Sequence, residues 1–547
     1  MESIQLSITD ISILLLYFVF IVWWALRHGK SKDSESYFLA GRQMTWPVVG
    51  LSLFAASVSS STLMGHSGEG FISGIAVFNY NWVSIIVMVF FLIFFLPFYL
   101  RSGIYTMPEF LERRFDRRSR VYFSLVTIVG NVFLDAAAAL YTGALIIKMI
   151  IPDAELMWIV IIMGLVAGSY TIIGGLSSAV NADFIQALIL IVGSAILMFF
   201  AFDEIGGWGE FYERFNDGVW LRLTRPMNDP TVPWLGMILG IPILGFYFWC
   251  NNQVMVQRIL SARSINQGRK GVLFVGFLYL FTLFIFIMPG LVGRGINLFG
   301  VEHLPHQIID GLKLKNEYGI NTDEVYPRLV LELLPVGLIG LILATMVSAL
   351  TSTLSATISS ASTLFTMDFY TRIKPNAGNK ELVKVGRLAA LIVLILAMFW
   401  APFIQKFDSL VAYYQEVISY LSPPVVGVFF IGLFWKRSNA NGAFWSLISG
   451  LIMATILMIW KYVLKNDIEL HFLILAPIMM VVSLMINVVV SYAGSKPDKV
   501  KIDEYTYSKK VWQQDSKELE GIKWYNNFRV LSLLLVAACL GMYCIFF

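Results

Sequence analysis

Runs of about 20 apolar residues recur along almost the whole chain, and each is long enough to cross a hydrocarbon layer ~30 Å thick. They fall near 8–27, 46–73, 76–100, 120–149, 156–174, 177–202, 234–257, 271–293, 331–366, 386–404, 408–435, 441–464, 469–492 and 527–547, about fourteen spans in all. In lipid the backbone must satisfy its own hydrogen bonds, so the expected fold is all-α and integral to a membrane. Composition agrees: 57% of residues are hydrophobic and 14% charged, with a mean hydropathy of +0.72. A soluble domain would need about 25% charged residues to wet its surface. The first run, 11–26, lies between Asp10 and Arg27 with no basic segment before it and no small-residue cleavage site after it. It reads as an inserted helix, not a signal peptide.

The charges between the runs set an orientation. With the N-terminus outside, the links around 27–44, 101–120, 258–270, 367–387, 436–437 and 493–529 face the cytoplasm and hold 29 of the 40 Lys and Arg residues. Such a bias places both termini outside. No link is long enough for a further soluble domain, and neither a dinucleotide fingerprint nor a phosphate-binding loop occurs. Cys250, Cys539 and Cys544 show no paired spacing and suggest neither a disulfide framework nor a zinc site. The five histidines include no HExxH pattern, so no enzyme activity, organic cofactor or nucleic-acid partner is expected. No Asn-x-Ser/Thr sequon occurs, which favours a bacterial inner membrane over an animal plasma membrane.

Two spans break the composition rules of a lipid-facing helix. Leu51 to Gly74 is crowded with Ser, Gly and other small residues and carries His66 and Glu69. Either it is a tightly packed helix with small residues at its interface, or it unwinds locally and offers carbonyls to a cavity or an ion. The span at 331–366 places Ser348, Ser352, Ser355, Ser359 and Ser362 on one helical stripe. Beside that stripe Ala349, Ser352 and Thr353 share a face at i, i+3 and i+4. The stripe is a packing seam or an oxygen-lined site for a hard cation such as sodium. Asp135, in the apolar run FLDAAAALYTG, is a third anomaly. A carboxylate there is a functional candidate or a bond to a neighbouring helix. Glu69 reads as a gate or rim residue nearer the outer vestibule.

Six segments then point to a known family. ESYFLAGR (35–42), GIYTMPEFLERRF (103–115), YTIIGGLSSAVNADFIQ (170–186), WCNNQVMVQRILSARS (249–264), SASTLFTMDFY (360–370) and GLFWKRSNANGAFWSL (432–447) resemble, in order and spacing, the sodium/solute symporter family and its sodium/glucose cotransporter branch. The resemblance implies a fold of leucine-transporter type, with two inverted five-helix repeats and a site between them. On that pattern 1–45 is an extra N-terminal helix and its link, 46–202 the first repeat, 203–233 an external loop, 234–435 the second repeat, and 436–547 three additional helices.

The family's principal sodium site carries over to Ala55, Val58, Ala349, Ser352 and Thr353. A second sodium site found in some relatives matches Asp183 and Ser355, with another usual hydroxyl replaced by Ala356. Asp183 reads equally as a packing residue near the cytoplasmic face. Of the sugar-binding positions, Trp249, Asn252 and Gln415 match. The family's Asn, its Gln or His, its Glu and its Lys are replaced by Ser57, Thr62, Asn81 and Tyr279, and Asp135 stands where a sialic-acid-transporting relative has an arginine. All of these replacements are polar, and none supplies a positive partner for an acid.

The expected function is sodium-coupled symport of a small polar solute by alternating access, with a neutral sugar or polyol ranked ahead of an amino-bearing or cationic solute and carboxylates last. Sodium is the coupling ion, and membrane lipid the surroundings. A sodium-gated sensor or leak channel on the same fold is the rival reading.

Overall fold

A computed structural model describes residues 6–29, 31, 33–150, 153–216, 218–298, 320–406, 410–465, 468 and 470–547. The fold is all-helical: the sole β feature among the described residues is an isolated bridge between Met44 and Ala262. Among the described residues eleven helices are long and apolar enough to cross a membrane, or twelve if the bent pair Ile265–Leu280 and Leu283–Gly295 is one span. That is fewer than the fourteen expected, and the difference is local. Sequence segments 156–174 and 177–202 adjoin without a link inside Leu156–Glu204, whose 49 residues comprise two helices across a kink. At ~1.5 Å per residue a straight helix of that length would reach about 74 Å. The run turns at Gly175, whose φ of +61° suits a residue without a side chain. A Cβ there would lie 2.3 Å from the Tyr37 carbonyl oxygen. The segment expected at 46–73 is not one helix either, because it breaks in the middle (below). Positions 408 and 409, where another expected span begins, lie outside the described residues.

The helix Leu338–Leu364 is the axis of the bundle. Of the apolar window that contains it, 83% is buried, against 22% for Ile8–His28 and for Phe528–Ile545 at the periphery. Its small residues let it pack closely on Leu156–Glu204, on Trp46–Ser57 and on the N-terminal helix Ile8–His28. Asp10 joins the two ends of this contact: its Oδ1 accepts from the amides of Gly337 (2.8 Å) and Gly340 (2.7 Å), donors that the start of Leu338–Leu364 leaves unpaired. Farther along, Tyr17 Oη lies 2.8 Å from Ser348 Oγ.

Two helices are broken. The first runs Trp46–Ser57 and resumes as Ser60–Ser73. The second runs Trp234–Phe246, widens into a π-type turn over Tyr247–Asn251, and resumes as Gln253–Leu260 after Asn252. The far end of Ser60–Ser73 is held by arginines, with Arg225 donating to the Ser73 carbonyl and Arg294 to that of Phe71. Burial pushes the Arg225 guanidinium down to about 10.

The face expected to be cytoplasmic is tied by ion pairs, buried at Asp368 and Asp515 and partly exposed at Glu112. Asp368 accepts from Arg120 (2.6 Å), Thr106 (2.7 Å) and Ser124 (2.5 Å). Glu112 bonds Arg120 and Arg372. Asp515, from the link before the last helix, takes Arg269 at 2.5 Å.

Candidate functional site

The first broken helix ends where the Val58 amide donates to the Phe54 carbonyl, 3.1 Å away. Val58 (φ −106°, ψ 94°) and Ser59 (φ −85°, ψ 167°) are extended. Carbonyls from Ala55 onward therefore lose their helical amides. Ser59 restarts the helix as an N-cap, its Oγ accepting from the Thr62 amide at 3.0 Å. Of the two readings open for this segment, the structure takes the one with local unwinding.

Ala55 and Val58, each 1% exposed, lie on this break, and Ala349 (1%) and Ser352 (0%) on the helix that packs against it. Thr353, next in that helix, has a buried Oγ1 with no hydrogen-bond partner among the described residues. Buried hydroxyls are nearly always paired, so an orphan of this kind asks for a partner absent from the protein itself. A hydroxyl oxygen and carbonyls are the donor set a sodium ion takes.

Asp183 lies among other groups than those expected of a second sodium ligand. Its Oδ2 accepts from Arg258 Nη2 (2.8 Å) and Ser52 Oγ (2.7 Å), and its Oδ1 from Ser352 Oγ (2.6 Å). Asp183 and Arg258 are both fully buried. Ser355 Oγ instead meets Thr171 Oγ1 at 2.7 Å, and no hydrogen bond joins it to Asp183 among the described residues. One carboxylate thus gathers the first broken helix through Ser52, the axial helix through Ser352, and the inner half of the second broken helix through Arg258. Arg258 was absent from the sequence expectations because 75 residues separate it from Asp183. The signal available was a lone arginine in the apolar stretch VMVQRIL.

All eight residues expected to contact solute, Ser57, Thr62, Asn81, Asp135, Trp249, Asn252, Tyr279 and Gln415, line one cavity of about 190 Å³, and Thr353 lines it too. Their spacing in sequence runs from Ser57 to Gln415, so the bundle, not local chain, assembles them. Trp249 and Tyr279 meet edge to face, ring centroids 5.1 Å apart. Asn252 restarts the second broken helix as an N-cap, its Oδ1 accepting from the Val254 amide at 2.8 Å. Asp135 sits on a π-type turn over Asn131–Ala136, a feature frequent at functional sites. Its Oδ1 accepts from Tyr414 at 2.8 Å.

The structure adds wall residues that sequence reasoning left out. His66 was noted as an anomaly without a role; it faces the cavity, as does Tyr414. Glu416, beside Gln415, is buried and pairs with Lys461 at 2.6 Å, which fixes the rotation of its helix. The signal for Glu416 was an acid next to an expected ligand in an otherwise uncharged helix.

Two broken helices that meet at a cavity with polar groups set in a largely apolar wall, inside a bundle of apolar helices, are the organisation of a secondary transporter. Solved structures share the fold. One described as a substrate-bound, outward-open Na+-coupled sialic acid symporter aligns with a TM-score of 0.78 at 21% identity, covering 90% of this chain and 99% of its own. A nucleobase-cation-symport-1 family transporter aligns with a TM-score of 0.56 at 12% identity, covering 87% and 99%. At these identities the likeness shows the fold alone. Among curated proteins, sodium/glucose cotransporter 4 of Danio rerio is 33% identical, spanning 94% of this chain and 82% of that protein. Sodium/glucose cotransporter 1 of Oryctolagus cuniculus is 34% identical over 88% and 78%. The sodium/myo-inositol cotransporter of Canis lupus familiaris is 32% identical over 92% and 76%. The sodium:solute symporter family profile matches residues 37–450. This chain belongs to the sodium:solute symporter family, a family of membrane transporters rather than enzymes, with sodium as the coupling ion.

Proposed function

We propose that the chain imports a neutral sugar or polyol with sodium by alternating access. Sodium is held by the carbonyls of Ala55, Val58 and Ala349 and the hydroxyls of Ser352 and Thr353. The solute occupies the cavity walled by Ser57, Thr62, Asn81, Asp135, Trp249, Asn252, Tyr279 and Gln415. The observation that carries this reading is Thr353: it lines the solute cavity, yet its buried hydroxyl has no partner among the described residues. One residue then belongs to both sites, which is what coupling requires.

The mechanism follows from the break. Sodium entering first is coordinated by the carbonyls at Ala55 and Val58 and joins the loosened helix to the Ser352 face, which orders the cavity wall at Ser57. Solute binding completes the contacts, and the repeats at 46–202 and 234–435 rock to open the site inward. Each ligand can shift this equilibrium only by its preference for the closed arrangement. One sodium crossing ~100 mV supplies about 2.3 kcal/mol, and a ~10-fold sodium gradient about 1.4 kcal/mol more. Together they support roughly a 500-fold accumulation of a neutral solute.

Polar but mainly uncharged walls favour hydroxyl-bearing solutes. Amide and hydroxyl groups both donate and accept, as a polyol does. An organic acid placed beside Asp135 would bury two like charges at a cost of several kcal/mol. The glucose and myo-inositol cotransporters among the relatives lend support to the same class. An amino-bearing solute is the second reading, favoured by the Asp135 carboxylate. For location we propose a bacterial inner membrane, on the missing glycosylation sequons.

The test is sodium-driven accumulation in proteoliposomes of labelled sugars, inositols, amines and organic acids. Accumulation of a sugar or inositol that a sodium ionophore abolishes is the expected result. Preferential uptake of the acids would overturn the ranking, and sodium-independent equilibration of every solute would favour the leak-channel reading.

A further inference from the structure

A backbone group fixes the orientation of one asparagine amide in the cavity wall. The Val254 amide can only donate, so the Asn252 atom 2.8 Å from it is the carbonyl oxygen, and the NH2 group remains for the cavity. Asn81 lies between Thr282 Oγ1 at 2.6 Å and His66 Nε2 at 3.2 Å, and His66 Nδ1 is 2.9 Å from the Thr62 carbonyl. The Asn81 oxygen meets one of its two neighbours and one of its two protons the other, so a single N–H remains.

Asp135 has the opposite character. Its Oδ1 takes the Tyr414 proton, and Oδ2 has no hydrogen-bond partner among the described residues. A carboxylate accepts only.

We infer that the solute cavity is polarised, with Asn81 and Asn252 presenting N–H donors and Asp135 presenting an acceptor. A polyol is then bound in one orientation. Hydroxyls at the amides need only accept, whereas the group at Asp135 must donate, so that group is a hydroxyl or an amine and not an ether, a ketone or a carboxylate. The inference rests on the proposal that these residues form the solute site, and it adds the direction of each hydrogen bond.

Fluorine separates the two kinds of position, because C–F accepts weakly and cannot donate. The experiment is competition of monodeoxy and deoxyfluoro analogues of myo-inositol and glucose against sodium-driven uptake of the labelled parent compounds. At one or more positions the fluoro analogue should stay within about threefold of the parent while the deoxy analogue weakens about tenfold, the effect of one lost hydrogen bond. At another position both should weaken about tenfold. Asp135→Asn should restore the fluoro analogue there, since an amide can donate. Equal losses for fluoro and deoxy analogues at all positions, or an Asp135→Asn variant that moves all analogues alike, would overturn the polarity while leaving the solute class standing. Failure of both parent compounds to be taken up would overturn the solute class and the polarity with it.

Discussion

The two broken helices differ in what they put at the break. Around Val58 the chain is small and weakly polar, Ala55-Ala56-Ser57-Val58-Ser59, so what is offered is backbone. Around Asn252 the chain is bulky and aromatic, Tyr247-Phe248-Trp249, and the helix is restarted by an amide side chain. A carbonyl array suits a bare cation, which needs several oxygens at once. Aromatic faces and a placed amide suit an organic solute, which needs area and a few directed bonds. The lesson is that a broken helix becomes an ion site or a solute site according to the side chains next to the break.

The strongest test of this comparison separates the two helices from their common anchor. Arg258→Leu would leave Asp183 as an unpaired buried carboxylate, a loss of about 3–5 kcal/mol. The expected outcome is a large fall in thermal stability in detergent, partly recovered by adding Asp183→Asn. A stability near wild type for Arg258→Leu alone would show that the breaks are held together by other contacts.

Next in size is the ion side. Ser352→Ala and Thr353→Ala each remove an oxygen from a desolvated cation, a loss of about 1–3 kcal/mol. Half-saturating sodium should rise roughly tenfold or more, and Thr353→Ser should keep most of the affinity, since it keeps the oxygen. Unchanged sodium dependence in both alanine variants would break the assignment of the first helix to the ion. On the solute side, Asn252→Ala removes an N-cap of about 1 kcal/mol and a solute contact of similar size. Solute KM should rise about tenfold with little change in half-saturating sodium. Equal shifts in both would merge the two sites.

Stoichiometry sharpens the same comparison. Asp183 is already occupied by Arg258, Ser52 and Ser352, and Ala356 lacks an oxygen, so one sodium per solute is expected from reversal potentials. A value of two would mean that a second ion displaces these partners.

The smallest effect lies away from both breaks. Burial raises Glu112, but Arg120 and Arg372 outweigh it and hold the carboxyl below its ordinary value of 4.5. Its stabilisation is present above that value and is lost as pH falls through the depressed one. Glu112→Gln should therefore lower the melting temperature slightly near neutral pH, and the gap to wild type should close as the medium is acidified toward pH ~4.

Much of this organisation was legible in sequence. The break at Val58 was signalled by a density of Ser and Gly that a lipid-facing helix does not carry, and the Ser352 face by helical periodicity. The break at Asn252 was not. One asparagine after an aromatic run leaves the hydropathy of 234–257 intact, and only the cap on Val254 reveals the restart. Helix counting falls below fourteen where the chain turns without a polar link, as at Gly175, where two expected spans adjoin at a kink. The Asp183–Arg258 pair and the His66–Asn81–Thr282 chain were invisible because each depends on helices brought together from far along the sequence. The cavity residues were found by resemblance, since no local pattern connects Ser57 with Gln415.

The bond between Asp10 and the start of Leu338–Leu364 has a further consequence, which concerns biogenesis. Its partners lie 327 and 330 residues downstream, and at ~5–20 residues per second they leave the ribosome roughly 15–65 s after Asp10. Until then the carboxylate must remain wet, so the N-terminal helix waits at the periphery of the nascent bundle. Docking of this helix is therefore a late event in assembly, and a chain stalled before residue 337 would present Asp10 and the apolar flank of Ile8–His28 to the quality-control machinery of its membrane.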